Sequence, residues 1–172
     1  MIGYALDSTA TASAALTRSL DELAELLEST TDQTYLWKPD GGVSGSIGAH
    51  VRHVLDHVRV LVERPTHRTV TYDRRQRDTS IERSRTDGIL ALRRMAYRLR
   101  AAMDAPHDQM LVLEALVERD QPPIAVTTSL ARELVFALQH TIHHQAIIAV
   151  LLHEIGVLAP ARFGYAPSTP AN

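Results

Sequence analysis

From Ser129 to Gly156 the chain reads as one long helix. Its apolar residues, Leu130, Leu134, Val135, Leu138, Ile142, Ile147, Val150, Leu151 and Ile155, fall almost all round the helical wheel. Such a helix cannot rest on a surface by one face and needs other helices around it. Three more segments supply them. Leu16, Leu20, Leu23 and Leu27 make one stripe between Ser8 and Ser29, and Ile47, Val51, Val54, Val58 and Leu61 recur behind a capping Ser46 until Pro65. Ile89, Leu92, Ala96 and Leu99 recur between Arg85 and Met103, before the proline of "DAPHD". The economical architecture is all-α, an up-down four-helix bundle. Between helices three and four, "QMLVLEALVERDQPPIAVTTS" carries two β-prone runs around "DQPP". A short β-hairpin is one reading, and a helical "MLVLEALVE" the other. The loop "TDQTYLWKPDGGVSG" is expected to tuck Leu36 and Trp37 against the helices. No repeat or second pattern interrupts, so residues 1–172 read as a single domain, with 158–172 an irregular, proline-punctuated C-terminal tail over the helices.

Composition narrows the function. With 172 residues, 45% apolar, the chain can bury a sizeable core, and its formal net charge of −2 gives no field to draw nucleic acid or an anionic membrane surface. The N-terminal stretch lacks a basic start followed by an apolar run, and the longest uninterrupted apolar run, Ala146 to Leu152, is too short to span a bilayer. The expectation is a cytoplasmic protein without nucleic-acid or membrane partners. There is no cysteine, hence no disulfide, thiolate metal site or thiol nucleophile. Metal chemistry in this chain must use histidine and carboxylate.

Histidine is where the sequence is least even. Six of the nine histidines fall in two short helical stretches, "HVRHVLDH" with His50, His53 and His57, and "HTIHH" with His140, His143 and His144. His140 and His144, four apart, stack on one helix face with Cβ atoms ~5 to 6 Å apart, close enough to share a divalent ion. His143 lies about 100° round the helix and is expected to point elsewhere. A third ligand must come from helix two, where the apolar wheel centres near Val51 and Val54. Periodicity alone favours His50 or His57 over His53.

The stretch "SIGAHVRHVLDH" resembles the helix-two motif of the DinB-like (YfiT-like) metal-binding four-helix bundles, in which a serine is followed seven residues later by a histidine, an apolar pair and Asp; here Ser46 leads to His53, Val54, Leu55 and Asp56. "HTIHHQAII" resembles the same family's helix-four H-x-x-x-H motif, at His140 and His144. The resemblance spans most of the chain. Gly45 stands where the family has tryptophan, and Ile147 where a glutamine often stands, which bears on the subfamily and its substrate.

What the resemblance implies is a three-histidine site at His53, His140 and His144, holding a divalent metal ion, zinc or nickel. Its register selects His53 against the wheel. Three imidazoles leave an open coordination position, the pattern of a catalytic site. The implied activity is that of a metal-dependent transferase, hydrolase or isomerase on a small-molecule substrate, with a low-molecular-weight thiol as candidate co-reactant. The alternative is a non-catalytic metal-binding bundle whose apolar helix faces form a homodimer. Candidate helpers near the ligands are Asp56, His57, Glu133, His143, Gln139 and Gln145. Arg74, Arg75 and Arg77, in an arginine-dense loop running to Arg85, are candidates for an anionic group.

Overall fold

The computed structural model describes residues 7–41, 45–63, 68–73, 79–102 and 109–170. Among them are six helices and one small sheet. Four helices are long: α1 (Ser8–Glu28), α3 (Ile47–Val62), α5 (Arg85–Ala102) and α6 (Leu130–Glu154). Two are single short turns, α2 (Asp32–Leu36) and α4 (Thr79–Arg83). Each long helix begins or ends where local chemistry directs. Asp7 Oδ1 accepts from the amides of Thr9 and Ala10 at 3.0 and 3.1 Å, Ser46 Oγ from Ala49 at 3.2 Å, and Ser129 Oγ from Arg132 at 3.3 Å. Gly156, at φ +73°, takes the left-handed turn that ends α6.

The four long helices pack so that α1 and α3 each lie against both α5 and α6. Their directions can be read from contacts. Arg85, opening α5, donates to the Leu27 carbonyl near the end of α1, and Arg100 reaches Asp21, so α1 and α5 are antiparallel. Near the starts of α3 and α5, Gly48 and Gly88 both abut the Tyr35 ring, while Glu63 after α3 pairs with Arg98 late in α5, so these two run parallel. His50 meets His144 and His57 meets His140, so α3 and α6 are antiparallel. The order is up, down, down, up. This corrects the simple up-down expectation, in which consecutive helices alternate. The cause is the segment between Val62 and Arg85, which is long enough to travel back along α3, ~24 Å by helical rise, before α5 begins.

Strand β1 (Thr69–Val70) pairs in parallel with β2 (Met110–Ala115), and β2 pairs antiparallel with β3 (Ile124–Ser129), with Met110 opposite Ser129 and Ala115 opposite Ile124. The hairpin reading of this region was therefore correct and the helical one was not. β1 makes it a three-stranded sheet beside the helices, and the protein is mostly helical. Part of the arginine-dense loop is helix α4. Arg74, Arg75 and Arg77, together with the helix stops assigned to Pro65 and to "DAPHD", lie outside the described residues.

The core is one contiguous cluster, including Leu16, Leu20, Leu23 and Leu27 of α1, all without exposed surface. Burying each such leucine contributes roughly 1.5–3 kcal/mol. Helix α6 is long and apolar enough, by length and composition, to cross a bilayer. Here Leu134, Ile148, Leu151 and Leu152 are instead buried in the core, while Val135 and Val150 remain exposed. Among the described residues of the loop after α1, the fully buried one is Tyr35, not Leu36; Trp37 packs partly buried. The tail does cover the helices: Phe163 joins the core and Gly164 (φ +77°) lies against the backbone of Ala146.

Tyr35 explains two glycines. Its hydroxyl donates to the Ile81 carbonyl at 2.7 Å, clamping α4 across α3. A Cβ on Gly48 would come within 2.7 Å of the Tyr35 ring and collide with the Glu82 carbonyl. Although alanine is the better helix former, Gly48→Ala is expected to cost ~1–3 kcal/mol by overpacking, lowering Tm by about 3–10 °C in a chain of this size. Differential scanning calorimetry checks this, and an unchanged or higher Tm would refute the close-packing account.

Candidate metal centre

Spacing on α3 brings its histidines together. His50, His53 and His57 follow an i, i+3, i+7 pattern, which on a helix is a single stripe, and that stripe faces α6. Facing it, His140 and His144 stack on α6 with Phe136 one turn earlier. The ring centroids of His53 lie 4.6 Å from His57, 4.9 Å from His140 and 4.7 Å from His144. His140 lies 4.0 Å from His57 and 4.6 Å from His144. His53 and His140 are thus the middle of the cluster, with His57 on one side and His144 on the other.

The three histidines selected by the family register, His53, His140 and His144, are neighbours in space. The donor nitrogens that come together as a possible metal-holding group are a different set: His53, His57 and His140 each offer a nitrogen within 4.8 Å of the other two. In this group His57 stands in the place of His144. The wheel had marked His57, and its burial agrees: His57 is 7% exposed, His50 and His144 each 8%, whereas His53 and His140 are half-buried.

Hydrogen bonds decide what each ring can offer. His57 Nδ1 lies 3.0 Å from the His53 carbonyl, which can only accept, so Nδ1 carries the proton and Nε2 holds the lone pair. His50 Nδ1 and His144 Nδ1 are 3.0 Å apart, so one donates and the other must be unprotonated there. Electrostatics point the same way. Burial first, and then the charges that His140, His53, His50 and His143 would carry, push the His144 pKa down to about 3; burial and then His143 lower that of His50. His50 and His144 are thereby held toward the neutral imidazole, the protonation state that ligates metal.

The helpers divide. Glu133 is fully buried and accepts from Tyr72 Oη (2.7 Å), Thr128 Oγ1 (2.6 Å) and Arg132 Nη1 (2.7 Å). Asp56 is held by Arg52 at 3.0 Å. Gln145 donates to the Ser19 carbonyl at 2.9 Å and ties α6 to α1. His143 and Gln139 are exposed. Two ring neighbours went unread in the sequence. Tyr72, just after β1, stacks on His57 with centroids 5.1 Å apart and planes 15° apart, and Phe136 stacks on His140 at 5.9 Å and 20°. Phe136 was findable, one helical turn before His140. Tyr72 had no local signal.

The donor set fits a divalent ion. Metal–nitrogen bonds of about 2.0–2.1 Å place ligand nitrogens roughly 3 to 3.5 Å apart, so a group already within 4.8 Å closes by modest ring rotation. Long helices that turn five imidazoles inward between α3 and α6 define a class of helical histidine-centre proteins. A sequence model of the DinB superfamily matches residues 15–148. The chain belongs to that superfamily. Over 101 residues it is also 31% identical to the FK506-binding protein 5 of Rhizopus delemar, a match covering 58% of this chain and 26% of that protein. The chain therefore spans about a quarter of the length of that curated relative.

Proposed function

We propose that this protein is a metal-dependent enzyme of the DinB type, built as a single-domain four-helix bundle. A divalent ion, zinc or nickel, is held between α3 and α6 by His53 and His140 with a third imidazole. The observation that carries the reading is the group of three donor nitrogens on His53, His57 and His140. His144, the family-register ligand, adjoins both shared histidines and is the alternative third donor. An ion so held has Lewis acidity to polarise a carbonyl or to lower the pKa of a bound water or thiol. The chain's own residues supply imidazole nitrogens, a partly buried setting and, through Glu133, one carboxylate beyond the first ring of contacts. The reaction classes in view are transfer, hydrolysis or isomerisation of a small molecule, with a low-molecular-weight thiol as candidate co-reactant and the cytoplasm as the expected compartment. FK506 recognition is not carried over from the Rhizopus relative, since the match covers 26% of that protein.

A second reading is a non-catalytic metal-binding homodimer, favoured by Val135 and Val150, exposed along α6. One experiment addresses both. Elemental analysis of purified protein should give one zinc or nickel per chain, and a low-molecular-weight thiol should raise Tm beyond the metal alone. One bound ion with no thiol or small-molecule response supports the homodimer reading. No ion under any loading condition sinks both.

A further inference from the structure

We propose that Tyr72 is a positioning residue for the metal centre, tethered by Glu133 and setting the ring of His57. This rests on the reading of His53, His57 and His140 as ligands. Four rings form a closed circuit: Tyr72 to His57 at 5.1 Å, His57 to His140 at 4.0 Å, His140 to Phe136 at 5.9 Å and Phe136 to Tyr72 at 5.2 Å. Two of the four are the candidate ligands from opposite helices. The other two are carbon rings packed on their outer sides.

The circuit is anchored from one end. Tyr72 Oη donates to Glu133, and the same carboxylate accepts from Arg132, whose guanidinium lies 5.4 Å over the Phe136 ring. Glu133 has no exposed surface, and its three donors hold its charge in place. On either side of Tyr72 the chain is tied down: Val70 pairs with Leu113, and the Asp73 side-chain Oδ2 accepts from the Leu116 amide at 2.8 Å. A histidine has two soft torsions. His57 has its Nδ1 fixed on the His53 carbonyl and one face on Tyr72, so its remaining nitrogen is aimed before any ion arrives. Groups that orient a ligand imidazole from outside typically change metal affinity 10–100-fold when removed.

The test is Zn2+ affinity, and separately Ni2+ affinity, by competition with a chromophoric chelator for the parent, Tyr72→Leu, Tyr72→Phe, His57→Ala and the Tyr72→Leu/His57→Ala double variant. Tyr72→Leu should weaken binding about 10–100-fold and Tyr72→Phe, which keeps the ring and loses the tether, about 3–10-fold. In the His57→Ala background the Tyr72→Leu step should shrink to less than about twofold, because its effect passes through His57. Parental affinity in both tyrosine variants, or an undiminished step in the His57→Ala background, overturns the positioning role while leaving the metal centre intact. A parent that binds neither ion overturns the centre itself. If circular dichroism shows Tyr72→Leu unfolded, Tyr72→Phe decides alone, with parity to the parent overturning the proposal.

Discussion

Replacing His53 or His140 by alanine should abolish retention of a divalent ion, whichever histidine is the third ligand. These two rings are shared by both candidate sets, since His57 and His144 flank them on opposite sides. The expected loss in affinity is at least ~100-fold, above the 10–100-fold typical of an outer partner. The third ligand is then identified by comparing His57→Ala with His144→Ala. A larger loss in His57→Ala supports the group of His53, His57 and His140, and a larger loss in His144→Ala supports the family register. His143→Ala should retain the ion, because that side chain is exposed. Metal content after dialysis and chelator competition on the purified variants decide the matter, and full metal retention in His53→Ala would remove the centre from this part of the molecule.

The metal-free protein should lose stability in acid, through the same buried imidazoles. His144 is pushed down to about 3 in the fold, whereas in the unfolded chain an unperturbed histidine titrates near ~6.5. The unfolded state therefore binds more protons between these values. Its contribution to stability is complete above about pH 6.5 and is lost progressively as pH falls toward 3, with His50 lowered in the same direction. The loss should reach a few kcal/mol by about pH 4, on the order of 10 °C in Tm. Thermal melts in chelator at pH 7, 5.5 and 4 check this. His144→Gln should flatten the acid limb, and an acid limb unchanged in that variant would show that other groups carry it. Added metal ion stabilises by RT ln(1 + [L]/Kd), about 3 kcal/mol at a hundredfold excess, and that increment should also shrink in acid as protons compete for the imidazoles.

Much of the helical frame was legible because it is written locally. Ser46 and Ser129 cap the helices they were expected to cap, and the stripe from Leu16 to Leu27 is wholly buried. Helix or strand for "MLVLEALVE" stayed open, because a short apolar run has no period of its own; pairing with β3 and β1 settles it. Leu36 and Tyr35 show the same limit. Both are apolar enough to bury, and only Tyr35 finds the slot between Gly48 and Gly88, with a carbonyl for its hydroxyl.

At the centre the division is sharper. The sequence by itself placed six histidines on two helices, excluded thiolate ligands, and through its two motifs pointed to the superfamily to which the chain belongs. Helical periodicity states which residues share a stripe. It does not state how far one helix is rotated or slid against another, and that relation is set by packing among residues distant in the chain. His50 and His144 are 94 positions apart and share a hydrogen bond, and Tyr72 reaches Glu133 across 61. Only the tertiary structure could therefore bring the nitrogens of His53, His57 and His140 into one group, seat Tyr72 on His57, and run α3 and α5 in the same direction. These outcomes depend on the mutual placement of whole helices, which no local spacing encodes.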